Sequence, residues 1–218
     1  LVFYYFITKE QTKEFERNFS KWAKEIIKVK SKDELKTIVK NHIEPVITSR
    51  ETEYKLRSLE TRQNNLQQYR IRYILAKIAQ YLDQERLGAY NPQTLDNYIT
   101  KGVEVEHILP FNPEDNLRHT IGEEYNDLKI RLGNLTLLEK TMNIVVSNDF
   151  FSKKVIEYAK SPYYISKSIA GLDTIGQNSS INRLNIKLKS YEKWDKETIL
   201  DRQEMLYSLS KDIWKIEC

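Results

Sequence analysis

The chain has 218 residues and a mass of 26.0 kDa, with 40% hydrophobic and 30% charged residues and a mean hydropathy of -0.62. That is enough for one domain of ordinary size with a helical annex, and it excludes both a compositionally disordered chain and a membrane-embedded one, the longest apolar run being Leu1–Ile7. The net charge of +4 says little about partners, while the single cysteine, Cys218, excludes an internal disulfide and a cysteine-built zinc site and makes a reducing cytoplasm the expected compartment.

Phe15, Phe19, Trp22 and Ile26 recur at helical spacing and predict a helix with this face in a core. Ser31 followed by Glu34 forms a capping box for a second helix, which carries Leu35, Ile38, Val39 and Ile43 and is expected to end at Pro45. Leu66, Tyr69, Tyr73, Ile74, Ile78 and Leu82 mark a longer helix closed near Gly88. Its stretch from Thr61 to Leu82 holds Arg62, Arg70, Arg72 and Lys77 with no acid, most simply a solvated basic face. With only six glycines and five prolines in the whole chain, helix dominates the expectation.

The pattern changes at Lys101. Val103, Val105 and His107 alternate with Glu104 and Glu106, a period of two that predicts a short strand ending at Pro110. A polar loop follows, with a short helix after Thr120, whose partner Glu123 completes another capping box. Residues 101–150 hold nine acids against five bases, the reverse of the basic balance on either side, as a cation site set in an anion-binding surface would. Leu135 to Leu138, after Gly133, reads as a second strand, and from Lys140 the pattern is helical again. Ser161 and Pro162 punctuate it, a loop runs from Asp173 to Ser180, and Asp195 caps a last helix bearing Ile199, Leu206, Leu209 and Ile213. The fourteen tyrosines fall largely at core spacing, so packing explains them better than base stacking.

Three histidines are present. His42 sits in an ordinary helical pattern and His119 in the polar loop beside Arg118. His107 differs, because a carboxylate, Glu106, precedes it at a strand end and Asn134 and Asn143 follow at the start and end of a strand-to-helix passage. An imidazole can take a proton from water near neutral pH, and hard oxygen donors suit Mg2+ or Mn2+.

The runs Val105-Glu106-His107-Ile108-Leu109-Pro110, Arg131-Leu132-Gly133-Asn134-Leu135-Thr136-Leu137-Leu138, Met142-Asn143 and Ser147-Asn148-Asp149-Phe150-Phe151 resemble the HNH, or His-Me finger, nucleases. More narrowly they resemble the C-terminal nuclease domain of GmrSD-type modification-dependent restriction endonucleases and SspE-type phage-defence nickases. Arg72-Tyr73-Ile74-Leu75-Ala76-Lys77 and the closing stretch from Trp194 through Arg202 to Trp214 extend the similarity over about residues 65 to 216.

That resemblance implies a mainly α fold with a small ββα-metal insert, a helical bundle surrounding a short two-stranded hairpin. It implies a nuclease domain over 61–218, with the ββα core at about 101–160 and a closing helix at about 195–216. Residues 1–60 would be a helical segment or a linker from a missing upstream domain. It further implies a metal-dependent DNA endonuclease of prokaryotic restriction or anti-phage defence, nicking or cutting to leave a 5′-phosphate and a 3′-hydroxyl. RNA cleavage and an inactive helical DNA-binding or assembly module are the alternatives.

In the roles the resemblance assigns, His107 is the general base and Asn134 braces the loop that orients it. Glu106, standing where many such domains carry aspartate, and Asn143 hold one divalent cation, Mg2+ or else Mn2+. Arg131, Lys153 and Lys154 contact DNA phosphates, with Arg70, Arg72 and Lys77 as a more remote surface. An upstream nucleotide-hydrolysing sensor domain is the expected partner; the chain shows no Gly-rich phosphate loop of its own, and no membrane association is expected.

Overall fold

The computed structural model describes residues 12–49, 51–64, 66–88, 93–113, 118, 121–174 and 179–214. The readings made on Leu1–Ile7, His119, Thr120 and Cys218 lie outside these residues. Packing divides the chain into two compact units, Leu1–Glu60 with Trp214–Cys218, and Thr61–Ile213. Most of the described residues are helical, with a two-stranded antiparallel sheet.

In the first unit, helix α1 (Thr12–Ile26) turns Trp22 inward, 4% exposed, but leaves Phe19 and Ile26 at 40% and 39%. The expected apolar face is therefore mostly open. The next helix, α2 (Lys32–Ile38), buries no residue of its own and offers it little cover. Ser31 caps α2 as read, its Oγ accepting from Glu34 N at 3.2 Å while Glu34 Oε2 accepts from Lys30 N at 2.9 Å. Pro45 does not end the helical path. A wide π turn, Val39–Ile43, carries the chain into α3 (Glu44–Ser49), and Pro45 sits in the first turn of α3, where its fixed φ is tolerated. Helix α4 (Glu51–Leu59) follows.

The second unit is organised by α5 (Gln68–Leu87), which buries Ile71, Ile74, Leu75, Ile78, Ala79 and Leu82. Gly88, at φ 77°, closes it with its N–H on Gln84 O. Helices α9 (Tyr164–Ala170), α10 (Ser180–Asn185) and α11 (Lys196–Ile213) pack on α5. Buried Asp83 ties two neighbours to it, accepting from Tyr98 Oη at 2.9 Å and from Tyr164 N at 2.8 Å.

Strands β1 (Val103–His107) and β2 (Leu135–Glu139) pair antiparallel, with Val103 opposite Glu139 and His107 opposite Leu135. Leu135 to Leu138 are all buried, which accounts for the unbroken apolar run: both faces of β2 are covered. Strand β1 stops at His107 rather than Pro110: Ile108 N still donates in register to Asn134 O at 3.0 Å, and the Asn134 side chain then takes both Leu109 N and Leu109 O. Between the strands lies the short helix α6 (Tyr125–Leu128). Helix α7 (Lys140–Val146) continues directly from β2, and α8 (Phe151–Tyr158) follows it.

Helix α11 locks the hairpin. Its start is a reciprocal cap, Asp195 Oδ1 accepting from Thr198 N at 3.0 Å and Thr198 Oγ1 from Asp195 N at 2.8 Å. Arg202, wholly buried, donates through Nη1 to the carbonyls of Gly133 and Leu135, both at 2.7 Å, and Gln203 Oε1 accepts from Gly133 N at 3.2 Å. The two backbones come so close that a Cβ on residue 133 would lie 2.1 Å from Ile199 O, so only glycine fits there.

Candidate active site

The strand that carries His107 is pinned immediately beyond it. Asn134 lies at 0% exposure and uses its whole hydrogen-bonding capacity. Its Oδ1 accepts from Leu109 N at 2.7 Å and from Trp194 Nε1 at 2.8 Å; its Nδ2 donates to Leu109 O at 3.0 Å and Lys129 O at 2.8 Å. Asn134 thus clamps the residue two beyond His107 and does not touch the imidazole itself.

The partner of His107 comes from the stretch after Thr61, which is expected within the long helix but lies ahead of α5 (Gln68–Leu87). Thr61 to Gln63 runs beside Ile130 to Leu132, Gln63 N donating to Ile130 O at 2.7 Å and Leu132 N to Thr61 O at 3.0 Å. This places Gln63 Oε1 2.7 Å from His107 Nε2. An amide oxygen only accepts, so Nε2 carries the proton and Nδ1 is left as the lone-pair nitrogen. The ring meets Phe111 edge-on at 5.2 Å. Burial, then the cations Lys154 and Lys129, lower the imidazole to a pKa of about 4, so it stays neutral at physiological pH.

Glu106 and Glu104 share the other face of β1, and the structure separates their surroundings. Glu106 is 5% exposed, and its Oε1 accepts from Lys154 Nζ at 2.6 Å and from Tyr158 Oη at 2.8 Å. Lys154 and Tyr158 stand one turn apart on α8 and reach it together. Burial raises the Glu106 carboxyl and lowers the Lys154 ammonium, and their mutual attraction draws each back toward its charged form. Lys154, expected on a DNA-facing surface, is a correction: it is 1% exposed and spends a further hydrogen bond on His107 O at 2.8 Å.

Asn143, expected beside Glu106, meets Glu104 instead. Helix α7 starts directly after Glu139, which pairs with Val103, so a residue one turn in lies at the Glu104 end of the strand. Asn143 Nδ2 donates to Glu104 Oε2 at 2.8 Å, and its Oδ1 is buried with no hydrogen-bond partner. Glu104 and His107 line one cleft of about 510 Å³ with Gln63, Gln68, Tyr69, Val105 and Arg72. Among the described residues no three His, Cys, Asp or Glu side chains gather as a metal cluster, so amide oxygen and a single carboxylate are what this cleft offers a cation.

The basic residues divide. Arg131 and Arg62 both bind Asp127, Arg131 Nε at 2.7 Å, and so brace the loop. Arg72 lines the cleft and uses Nη2 on the carbonyls of Thr100 and Val103, while its Nε is buried without a partner. Arg70 lies against Tyr69, its Nε 3.1 Å from the hydroxyl. Lys77 donates to Gln80 at 2.8 Å. Lys153 is solvent-facing, with a loose contact to Asp149 at 3.1 Å.

A family model described as GmrSD restriction endonucleases, C-terminal domain, matches residues 48–209, most of the chain and all of the cleft. No curated protein and no solved structure matches. No helix among the described residues is long and apolar enough to cross a membrane.

Proposed function

Since the chain belongs to the family of GmrSD restriction endonuclease C-terminal domains, we propose that it is an HNH-type, metal-dependent endonuclease that hydrolyses DNA phosphodiester bonds with His107 as general base. The observation that carries this reading is the cleft itself, lined by a neutral imidazole and by Glu104, whose carboxylate accepts from Asn143 of the helix that follows β2. Gln63 fixes the tautomer of His107, and Nδ1 takes the proton of the attacking water. The clamp of Asn134 on Leu109 holds the imidazole's strand end still, so that the base is positioned before substrate arrives.

The residues fit a hard divalent cation, Mg2+ or Mn2+, because the Asn143 Oδ1 is buried with no donor to satisfy it. Asn143 and a carboxylate of β1, the expected one being Glu106, would hold it. Bound there, the ion would supply charge neutralisation at the phosphate and the departing 3′-oxygen. Lys153, Arg70 and Arg72 would meet the DNA backbone. The biological setting is prokaryotic restriction of invading DNA, gated in a longer protein by an upstream nucleotide-hydrolysing domain.

Plasmid cleavage followed from supercoiled to nicked to linear tests the reading, with Mg2+, Mn2+ or EDTA and with the His107→Ala variant beside the wild type. Metal-dependent cleavage abolished in His107→Ala, with folding and DNA binding kept, is the expected result. A variant that cuts like the wild type overturns the assignment of the base.

A further inference from the structure

Resting on the nuclease reading above, we propose that the cleft beside His107 is a subsite for one unstacked nucleotide of the cleaved strand, its base lying on Tyr69 and its phosphate held by Arg72.

Tyr69 departs from the pattern in which it stands. The spacing of Leu66, Tyr69 and Tyr73 predicts core positions, and Leu66 is indeed 8% exposed, but Tyr69 is 59% exposed and lines the cleft with Gln63, Gln68 and His107. The ring is held without being covered. Arg70 Nε donates to its hydroxyl at 3.1 Å, and the Arg70 guanidinium stands 5.7 Å from the ring centroid. An aromatic ring left mostly open beside polar groups is a stacking surface for a nucleobase of any identity, since every base has a π-face. Gln63, whose Oε1 is engaged by His107, and Gln68 bring carboxamide donors to the same cleft, the few polar points that orient a stacked ligand.

Arg72 follows in α5 and lines the same cleft. Its Nη2 is taken up by the carbonyls of Thr100 and Val103, at the head of the strand that carries His107. Its Nε is buried without a partner, which leaves Nη1 as the donor for a ligand. Two carbonyls fix the guanidinium in place and leave its charge unneutralised, and among the described residues Arg72 has no carboxylate partner. A fixed, uncompensated guanidinium in a nuclease cleft matches a phosphate oxygen. Glu104, the acid of the cleft, accepts from Asn143 Nδ2 at 2.8 Å and stands 3.9 Å from Lys140 Nζ, which offsets its charge toward an approaching phosphate.

The cleft measures about 510 Å³, within the roughly 300–1,000 Å³ of sites that take one small ligand. In a duplex each interior base is covered on both faces by its neighbours. A base therefore reaches Tyr69 only where the strand is unpaired or the base swings out, and an unpaired nucleotide avoids the cost of unstacking. The preferred substrate is thus a strand with an unpaired nucleotide, ahead of a fully paired duplex.

The test is DNA binding in EDTA, where metal-dependent cutting is silent, read by fluorescence anisotropy with two end-labelled probes. One is a short single strand of thymidines, the other a strand of the same length made of abasic sugars, so the two carry the same charge and differ only in their bases. The wild type is expected to bind the thymidine strand at least about fivefold more tightly, the scale of one base stacked on an aromatic ring. Tyr69→Ala should bring that ratio to about one with an unchanged melting temperature, and Tyr69→Phe should keep it. Arg72→Gln, assayed below its own melting transition, should weaken binding of both strands alike and lower the slope of log affinity against log salt by about 0.7, as the loss of one phosphate contact does. A ratio near one in the wild type, or a ratio that survives in Tyr69→Ala, overturns the base site. An unchanged salt slope in Arg72→Gln overturns the phosphate contact; in each of these cases the nuclease reading stands. A chain that cuts no DNA in Mg2+ or Mn2+ while the thymidine preference holds overturns the nuclease reading and leaves a nucleotide-binding cleft. Binding of neither strand overturns the subsite outright.

Discussion

Replacing Lys154 by methionine isolates the buried pair beneath the general base. The substitution keeps an unbranched stem, one atom shorter, and removes its charge, leaving Glu106, 5% exposed, with Tyr158 as its remaining side-chain donor. Breaking a buried pair from one side costs about 3–5 kcal/mol, because the surviving charge stays desolvated. In a chain of this size about 1 kcal/mol moves the melting temperature by roughly 2–4 °C, so a fall of roughly 6–20 °C is expected at pH 8. Part of the loss will depend on pH. The Glu106 carboxyl is already raised by burial, and removing Lys154 raises it further. A carboxyl whose folded pKa lies above its unfolded value of about 4.3 is destabilising when ionised, so the deficit should shrink as pH falls through the folded pKa toward that value and be largest above it. The part due to the lost His107 O contact should persist at every pH. Adding Glu106→Gln to Lys154→Met should recover most of the pH-dependent part. A single variant that melts with the wild type at pH 8, or a deficit that does not change between pH 8 and pH 4.5, would refute the claim that this is a desolvated, mutually dependent pair.

Further outcomes follow from the same geometry. His107 titrates near 4 in the folded chain, below its ordinary 6.5, so the acid limb of the metal-dependent cleavage rate should lie near pH 4; a limb at about 6.5 would show an exposed imidazole. The same shift means that the folded state holds fewer protons than the unfolded one, so roughly 3 kcal/mol of stability present above pH 6.5 is lost as pH falls to about 4, and His107→Gln should flatten that part of a stability–pH curve. Asn134→Ala empties a site making four buried hydrogen bonds and should cost at least about 3 kcal/mol in urea unfolding, with Mn2+ binding by the remaining folded protein unchanged, since Asn134 is not beside Asn143. Gly133→Ala forces a Cβ into Ile199 O and should destabilise by about 1–3 kcal/mol or more. A wild-type melting temperature would mean that the closing helix has room to shift.

What the sequence disclosed and what it hid separate along physical lines. Local signals translated well: the period of two at Val103 to His107, the apolar run at Leu135, Gly88 at the end of α5 and the caps at Ser31 and Asp195 all reappear in the structure. Pro45 misled because proline forbids a helix interior but favours a first turn, and the π turn before it creates such a turn. Trp22 alone of its apolar face was found buried among the side chains described, because periodicity reports that a face exists and not that anything covers it. Asn134 was expected as a brace only through the family resemblance; its own sequence context, an asparagine after a glycine, reads equally as a turn residue, and the clamp on Leu109 depends on packing that spacing does not encode. Gln63 was not, because an isolated glutamine in a polar stretch carries no pattern, and its position depends on backbone pairing with Ile130 and Leu132, which lie far along the chain.

The carboxylates show the limit most clearly. In a strand Glu104 and Glu106 are chemically equal and share a face, so no rule of spacing within β1 distinguishes them. The distinction is made by helix placement. Because β2 runs into α7 without a loop, Asn143 is delivered to the Val103 end of the hairpin, and because α8 comes next, Lys154 and Tyr158 reach the His107 end. Lys154 and Tyr158, four residues apart, share a face of α8. Two acids of opposite fate therefore follow from one connection length. Lengthening the β2–α7 junction by one residue would turn α7 by about 100° and carry Asn143 away from Glu104, while leaving Glu106 in its pair. Because α7 seats Val146 in the core, with Met142 packed against it, such an insertion should also lower the melting temperature. A melting temperature like the wild type's would mean that α7 can turn without drawing Val146 out of the core, and that the junction does not set the register of the helix.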